Sequence, residues 1–479
     1  MKVCFLVPPE PCAETPAERS AGCTRVVYPM PNLYELTVAA LVAEKGFEVE
    51  YADLTADGTA SLEQFLGADT SDAYLIWTVN LSRAADRDAR DAILRLRPEA
   101  TTVFLGPGAT FFPGIYLSGK RTAIVRGEPE LTVVELLEHL RDGQDISNLK
   151  GLTLHNPDGT IKRNPARELL TDLDSLPFPA RHLAGKYRFH NPKLKVAPYT
   201  TMLTSRNCPF HCIYCVPSSL TFARELDFRA DHGRKPPISF RSVESIGREL
   251  DALAAEGYRA IGFVDDNFIW NEERTAGICR ELKKHGMVWG CQARVDAITE
   301  PIARMLGESG CTYVDLGVES FNDEILRFIR KGITSDQIVK AIELLKKYGV
   351  PVKLNILIGT SPLETKETLR DTLRKAMALK VDQVMFNIVS PFPGTEFYQM
   401  AKENGWIKGG EYSPTNVQRD SILSYPHLSA EEMERALYRF NLRYFLSPRI
   451  VWHHLRKFRS FSEFRLAFKA LRVKLFGRQ

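Results

Sequence analysis

The chain has 479 residues, of which 44% are hydrophobic and 25% are charged, so it is long enough to form two or three globular domains. Its net charge of +4 is too small to indicate a nucleic-acid-binding protein, and the lack of any run of roughly 18 apolar residues argues against a membrane span. Nine cysteines, three of them close together, suit a reducing compartment better than a disulfide scaffold, which predicts a cytoplasmic protein.

The first 150 residues alternate short apolar runs with helical patterns. Strands are predicted at residues 3–7, 49–51, 73–78, 102–105 and 123–125, and helices at residues 33–45, 62–66, 84–96 and 131–140. This alternation predicts an α/β fold with an open, doubly wound parallel sheet. Such sheets bind ligands at the carboxyl ends of their strands. The residues expected at those ends are Pro8, Pro9, Thr78, Asn80, Gly106, Gly108, Thr110, Gly127 and Glu128.

Residues 151–195 follow a different pattern. Two short apolar runs flank the sequence Asn-Pro-Asp-Gly at residues 156–159, which predicts a β-hairpin. The proline-rich stretch at residues 172–179 is then interpreted as an extended linker. We therefore divide the chain into an N-terminal sheet domain (1–150), a hairpin and linker (151–195), a core (196–404) and a C-terminal region (405–479).

Strand and helix patterns repeat regularly from residue 200 to residue 389. These repeats predict a partial (β/α) barrel of the TIM type, whose working face lies at the C-terminal ends of its strands. Polar residues end several of the predicted strands, namely Asp265, Asp266, Gln292, Arg294 and Glu319. An arginine at such a position is suited to a carboxylate ligand, because its planar fork pairs with two oxygens.

The most informative stretch is the loop at residues 204–215, which contains Cys208, Cys212 and Cys215. Three sulfurs are one too few for a closed structural zinc site or an ordinary four-cysteine iron–sulfur cluster. A cluster held by this loop would therefore keep one iron open for another ligand. Two other interpretations remain: three buried structural thiols, or a zinc site with His211 as the fourth ligand.

The spacing of these cysteines resembles the signature of the radical S-adenosylmethionine (SAM) superfamily. The resemblance implies that Cys208, Cys212 and Cys215 bind a [4Fe–4S] cluster whose open iron is chelated by SAM. It also implies reductive cleavage of SAM to a 5′-deoxyadenosyl radical, with an electron donor such as flavodoxin or ferredoxin as a partner. The residues that it implies for SAM binding are Tyr214 near the adenine, Asp265 and Asp266 at the amino group, Gln292 and Arg294 at the next strand end, and Glu319 at the ribose or ammonium group.

The N-terminal region resembles the Rossmann-like cobalamin-binding domain of one large radical SAM subfamily. The similar turns are the Gly-Pro-Gly-Ala-Thr loop at residues 106–110 and the Arg-Gly-Glu-Pro-Glu sequence at residues 126–130. The resemblance implies cobalamin as another cofactor. The Asp-x-His-x-x-Gly motif of other cobalamin proteins is absent and no histidine precedes His139, so cobalamin would be held without histidine ligation from this domain. A degenerate domain without cobalamin is the alternative.

The C-terminal region combines a helix start with a basic, apolar tail. Ser429 and Glu432 form the pattern of a capping box, and residues 449–479 carry nine lysines and arginines against the single acid Glu463. Such a segment suits an anionic membrane surface, while packing on the barrel, RNA binding and a protein partner are alternatives. The tail resembles that of the hopanoid-biosynthesis radical SAM proteins, which implies a lipid or polyprenoid substrate.

The remaining cysteines are assigned from their surroundings in the sequence. Cys4, Cys279 and Cys311 lie in apolar patterns and are predicted to be core thiols, whereas Cys12 and Cys23 lie in a proline- and glycine-rich loop. The sequence as a whole predicts a radical SAM enzyme that functionalises an unactivated carbon, either by methyl transfer through cobalamin or by a ring or skeleton rearrangement. The competing interpretation is a non-catalytic iron–sulfur or zinc protein.

Overall fold

The computed structural model describes residues 1–10, 15–21, 24–25, 30–57, 61–187, 189, 191, 193–194, 196–413, 415–455 and 465. Cys12, Cys23 and most of the basic tail at residues 449–479 lie outside the described residues. The chain divides into two compact units. The first runs from Met1 to Asp266 except for two short stretches, one of which is Phe210–Cys215, and the second comprises those stretches and the residues from Asn267 onward. The four-part division made from the sequence stays a prediction.

A seven-stranded sheet forms the framework of the N-terminal part of the first unit. Its strands are β1 (Lys2–Val7), β2 (Glu48–Asp53), β3 (Ala73–Trp77), β4 (Thr101–Leu105), β5 (Thr122–Val125), β6 (Leu152–His155) and β7 (Ile161–Arg163). The strand order is β2-β1-β3-β4-β5-β6-β7, and all neighbours from β2 to β5 are parallel, as predicted. The predicted hairpin is β6 and β7, which extend the same sheet in antiparallel orientation.

Helices cover both faces of this sheet. They are α1 (Leu33–Glu44), α2 (Leu54–Asp57), α3 (Leu62–Ala68), α4 (Arg83–Leu96), α5 (Pro107–Phe111), α6 (Pro113–Tyr116) and α7 (Glu130–Arg141). Side chains alternate between two apolar clusters along each strand, so Phe5 and Leu75 pack in one cluster while Leu6 and Ile76 pack in the other. Because both faces of the central strands are buried, β1 and β3 are almost wholly apolar, which is why the sequence identifies them clearly.

The rest of the first unit surrounds the start of the cysteine loop. It contains β8 (Tyr199–Met202), β9 (Ser205–Arg206), α8 (Ser219–His232), β10 (Ser239–Phe240), α9 (Val243–Ala255) and β11 (Ala260–Phe263). Strands β8 and β11 pair in parallel, and β9 pairs with β10 in antiparallel orientation. Helix α8 was not predicted from the sequence; it begins at Ser218, whose hydroxyl caps the backbone N–H of Thr221.

The second unit is built on four parallel strands. They are β12 (Val288–Ala293), β13 (Cys311–Glu319), β14 (Val352–Ile358) and β15 (Gln383–Ile388), paired in that order. Its helices are α10 (Glu272–Lys284), α11 (Glu300–Glu308), α12 (Asp323–Phe328), α13 (Ser335–Lys347), α14 (Lys366–Ala378), α15 (Glu396–Glu403), α16 (Ala430–Phe445) and α17 (Pro448–Leu455). The strands β12 to β15 and their intervening helices follow the repeats predicted from the sequence.

Short 3-10 helices complete the described secondary structure. They are Asn80–Ser82, Leu173–Ser175, Arg181–Ala184 and Val295–Ala297. The predicted capping box at the start of α16 is confirmed, with Ser429 Oγ accepting from Glu432 N and the Glu432 carboxylate accepting from Ser429 N. Within the described part of the chain, every helix falls short of the length and apolarity that crossing a bilayer requires.

Candidate functional site

The cysteine loop begins in the first unit and ends in the second. Cys208 follows β9, while Cys212 and Cys215 are joined by a hydrogen bond from Cys215 N to Cys212 O (3.2 Å). Ile213 fixes this second part, because its N–H donates to Ile329 O and its carbonyl accepts from Phe397 N. All three cysteines are reduced and half-buried. Three reduced, partly exposed sulfurs are a donor set that fits a cluster with one open iron.

A single-ion site receives no support from the geometry. Among the residues that the structure describes, no group of three or more His, Cys, Asp and Glu side chains is arranged to hold a metal ion. His211, the predicted fourth ligand of the zinc alternative, is exposed.

Asp265 and Asp266 hold the two flanks of the cysteine loop within the first unit. Asp265 is fully buried and accepts from Thr204 N (3.1 Å), Thr204 Oγ1 (2.7 Å) and Ser205 Oγ (2.7 Å), immediately before the loop. Asp266 accepts from Ser218 N (2.6 Å) and Thr221 Oγ1 (2.5 Å), immediately after it. Burial raises the pKa of Asp266. These carboxylates stabilise the two ends of the loop through hydrogen bonds. Their contact with the amino group of SAM stays a prediction.

A buried ion pair in the second unit joins Glu319 to Lys331, a lysine that the sequence analysis did not identify. Lys331 Nζ lies 2.7 Å from Glu319 Oε1 and 3.4 Å from Tyr214 Oη, and all three side chains are buried. Glu319 ends β13 after a bulge and has a φ of +66°. Burial acts to lower the pKa of Lys331, but the charges of Glu319 and Cys212 outweigh it and raise that pKa. Lys331 therefore stays charged near the cysteine loop.

Arg294 is oriented by neighbours in the second unit. Its Nε and Nη2 each lie 2.9 Å from one oxygen of Asp296, and Nη2 also donates to Lys331 O (2.8 Å). Its guanidinium carbon lies 3.5 Å from the centre of the Phe210 ring, a cation–π contact next to Cys212 in the sequence. Arg294 therefore forms its bidentate ion pair with Asp296, and not with a ligand carboxylate as the sequence predicted. Gln292, two residues earlier, is exposed.

The glycine loop after β4 is closed by the chain itself. A Cβ on Gly106 would lie 2.6 Å from Thr78 O, and one on Gly108 would lie 2.8 Å from Tyr116 Oη. Thr78 Oγ1 donates to Leu105 O (2.7 Å) and accepts from Ala109 N (2.8 Å), and Thr110 Oγ1 donates to Gly106 O (2.9 Å). Thr78 and Tyr116 therefore occupy the space beside these two glycines.

Alanine at Gly106 is expected to destabilise the first unit. The new Cβ would clash with Thr78 O, and the φ of +87° is unfavourable for alanine, so we expect a loss of about 2–4 kcal/mol in the free energy of unfolding. Gly46→Ala is the matched control, because Gly46 has a φ of +81° but open space around its Cβ. Denaturation followed by near-ultraviolet circular dichroism measures both; equal losses would contradict the clash.

Gly127 and Glu128 belong to a buried ionic network in the first unit. Glu128 Oε1 lies 2.9 Å from Arg206 Nη1 and 3.0 Å from Arg224 Nε, and Glu130 Oε1 lies 2.6 Å from Arg206 Nη2. A Cβ on Gly127 would lie 3.1 Å from Asp227 Oδ2. The network connects the end of β5 with β9, two residues before Cys208, and with α8. These contacts give Gly127, Glu128 and their partners a structural role.

The carboxyl edge of the seven-stranded sheet carries buried polar groups: Asn80, which the sequence singled out, and Glu35 and Asp86, which it did not. Glu35 Oε1 accepts from Trp77 N (3.3 Å), and burial raises its pKa to about 8. Asp86 lies 2.8 Å from Arg19 Nη2, and burial raises its pKa to about 6. Asn80 Oδ1 and Glu35 Oε2 are buried with no hydrogen-bond partner among the described residues. A ligand rich in amide groups, such as cobalamin, would supply hydrogen-bond partners for Asn80 and Glu35. Pro8 and Pro9 follow β1, which is parallel to β3, and so lie at the same edge of the sheet.

Comparison with known proteins extends these observations. The Radical SAM superfamily model matches residues 202–376. The chain is 31% identical over 351 residues to the uncharacterized methyltransferase PH0819 of Pyrococcus horikoshii, covering 72% of each chain. It is 25% identical over 393 residues to the hopanoid C-3 methylase of Methylococcus capsulatus, covering 77% of this chain and 70% of that one. The radical SAM methyltransferase TsrM from Kitasatospora setae, solved with cobalamin and a [4Fe–4S] cluster, has a TM-score of 0.64 at 18% identity, covering 91% of this chain and 84% of that chain.

The superfamily match includes the whole cysteine loop and the strands β11 to β14. The similarity to the Pyrococcus horikoshii protein covers 72% of each chain and therefore extends beyond that region. The likeness to TsrM supports the predicted fold, an N-terminal parallel sheet followed by a parallel-sheet radical SAM domain. The chain therefore belongs to the radical SAM superfamily and is a radical SAM enzyme, with a [4Fe–4S] cluster and SAM as its cofactors.

Proposed function

We propose that the chain is a cobalamin-dependent radical SAM methyltransferase. The observation that carries the proposal is the sheet of five parallel strands, β1 to β5, that precedes the cysteine loop. The fold that contains this sheet is similar to that of TsrM over 91% of the chain. The sequence similarity to a methyltransferase favours methyl transfer over the ring or skeleton rearrangement that the sequence left open. A radical SAM enzyme with a degenerate N-terminal domain is the competing candidate.

The chain's own residues are assigned to these cofactors as follows. Cys208, Cys212 and Cys215 would hold the cluster, and Asn80 and Glu35 would offer hydrogen bonds to cobalamin. When bound, the cluster supplies the electron that cleaves SAM, and cobalamin carries the methyl group that is transferred. The ammonium of Lys331 and the carboxylate of Glu319 match the carboxylate and the amino group of SAM. Their mutual pairing keeps both groups oriented at the same place.

Anaerobic reconstitution tests the proposal. With iron, sulfide and hydroxocobalamin supplied, we expect the purified chain to show both a cluster and a corrin spectrum. With SAM and reductant it should form 5′-deoxyadenosine or S-adenosylhomocysteine and transfer a labelled methyl group from SAM to the corrin. A cluster-loaded chain that retains no corrin would support the degenerate domain. A cluster-loaded chain that forms neither product would support the non-catalytic interpretation.

Methionine at Lys331 is expected to weaken SAM binding by roughly 10- to 100-fold, because a hydrogen bond to a charged group contributes about 1.5–3 kcal/mol. Binding to the cluster-loaded chain is measured by equilibrium dialysis with labelled SAM. Lys331→Arg should retain most of the affinity, since it keeps the charge. Lys347→Met is the matched control, because Lys347 forms a surface pair with Glu300. Unchanged affinity in Lys331→Met would remove this lysine from the SAM site.

The partners expected from the sequence are also proposals. A flavodoxin- or ferredoxin-type protein would supply the electron, and the tail at residues 449–479 would contact an anionic membrane surface. Val451 and Trp452 of α17 are exposed, which supports an apolar contact there, and the hopanoid C-3 methylase relative keeps a lipid or polyprenoid among the candidate substrates. Flotation with anionic liposomes, with and without residues 449–479, tests the contact. Equal flotation of the two chains would reject it.

A further inference from the structure

The strands of the second unit present one covered face and one open face. Phe386 packs against Phe440 and Tyr444 of α16, with ring centroids 5.5 and 6.2 Å apart, so its face of β15 lies under a helix. Met385 and Asn387, on either side of Phe386, point to the other face and are half-buried. The same alternation leaves Asn355 and Leu357 half-buried on β14.

The strand register aligns the residues of this second face, which we call the open face, in rows. Gln292, Asp315, Lys353 and Gln383 are successive partners across β12 to β15. In the next row toward the carboxyl ends, Gly317, Asn355 and Met385 are partners, and Leu357 pairs with Asn387 beyond them. A Cβ on Gly317 would lie 2.8 Å from Lys331 Nζ and 3.0 Å from Glu319 Oε1. The open face therefore lies directly beside the Glu319–Lys331 pair.

The charges on and beside the open face balance in pairs. Lys353 Nζ lies 2.9 Å from Asp315 Oδ2, Lys331 Nζ lies 2.7 Å from Glu319 Oε1, and Arg294 is paired with Asp296. Lys331 is assigned to SAM above, and Lys353 and Arg294 each have a carboxylate partner, so a phosphate or carboxylate on the methyl-accepting substrate would have to compete with that partner. Charge balance of this kind disfavours an anionic ligand.

Neutral hydrogen-bonding groups make up much of the remaining surface. Gln292, Asn355, Gln383 and Asn387 contribute amides, and the Oδ1 atom of Asn387 is buried with no hydrogen-bond partner among the described residues. Leaving such an atom unpaired costs free energy that a donor on a ligand would recover. Leu357 and Met385 provide apolar contact next to these amides.

We propose that the open face binds the methyl-accepting substrate, and that this substrate is a neutral organic molecule with amide or heterocyclic hydrogen-bonding groups beside an apolar portion. The proposal rests on the methyltransferase function proposed above. It disfavours a phosphate ester, which would disrupt the ion pairs. It also argues against the lipid or polyprenoid candidate above, because an all-hydrocarbon polycycle would offer the amides of the open face no hydrogen bonds.

Ligand-observed NMR on the chain loaded with cluster, cobalamin and S-adenosylhomocysteine tests this substrate class. The probes are three neutral compounds with their matched acids: nicotinamide and nicotinate, uracil and orotate, and indole-3-acetamide and indole-3-acetate. Toluene serves as the hydrocarbon probe. We expect each neutral compound to bind at least about fivefold more tightly than its acid, and Asn387→Leu to weaken the neutral compounds about tenfold. Asn148→Leu, at an exposed asparagine, should change nothing.

Acids that bind as tightly as the neutral compounds would overturn the proposal. Toluene that binds as tightly as the neutral compounds, or more tightly, would also overturn it. The same holds if the Asn387→Leu variant binds the neutral compounds with unchanged affinity. The comparison of neutral compounds with acids uses the unmodified chain, so it stands even if Asn387→Leu fails to fold. Binding is measured without turnover. Loss of cobalamin or of methyl transfer therefore contradicts the proposed function separately from the substrate class.

Discussion

Replacing Cys212 by alanine is expected to abolish cluster binding and reduce SAM cleavage to the level of an enzyme-free control. Only three sulfurs are available to the cluster, and removing one leaves two ligands for four irons. The iron content after anaerobic reconstitution should fall from about four per chain to near zero.

Cys279→Ala is the control for this experiment, because Cys279 is a buried thiol of α10 and lies outside the loop. It should retain iron and form 5′-deoxyadenosine at nearly the rate of the unmodified chain. Iron retained at four per chain in Cys212→Ala would contradict the assignment of Cys212 as a ligand. Loss of iron in both variants would instead point to instability of the second unit.

Much of the fold could be predicted because both sheets are buried on at least one face. β3 is wholly buried and reads as a continuous apolar run, and β14 and β15 alternate between covered and half-buried positions. Helix α8 could not be predicted, since its buried side is partly polar and depends on contacts with α5 and with Asp266. Seven of its side chains besides Ser219, among them Arg224 and Glu225, are buried in contacts that the local sequence does not reveal.

The cysteine loop could be predicted because the spacing of its ligands is local. The partners of the strand-end residues are not local, and they determine each role. Asp265 and Glu319 both end strands, yet Asp265 is bonded to Thr204 and Ser205 while Glu319 reaches Lys331, twelve residues on. Arg294 was expected to hold a carboxylate ligand, but Asp296 lies close enough to occupy its guanidinium. The sequence alone does not show which of these partners each strand-end residue contacts.

Glutamine at Glu364 is expected to make the second unit more stable than the unmodified chain at alkaline pH. Glu364 is buried after β14 and accepts from Gly359 N, and burial raises its pKa from 4.5 to about 8. Such a carboxyl binds more protons folded than unfolded, so the free energy of unfolding falls as pH rises from 4.5 to about 8, by about 1.4 kcal/mol per pH unit. Glutamine keeps the hydrogen bond and has no proton to lose.

The stability difference between Glu364→Gln and the unmodified chain should therefore grow in favour of the variant by roughly 3 kcal/mol between about pH 5.5 and pH 8.5. Denaturant unfolding at each pH measures this difference. Tyr425 and His427 also bond to this loop, at Gly359 O and Glu364 O, and both residues are unchanged in the variant. Glu308→Gln, at an exposed glutamate, should show no such growth. A constant difference across this range would mean that Glu364 is ionised in the folded protein, and its buried charge would then need a cation that the described contacts of this loop do not supply.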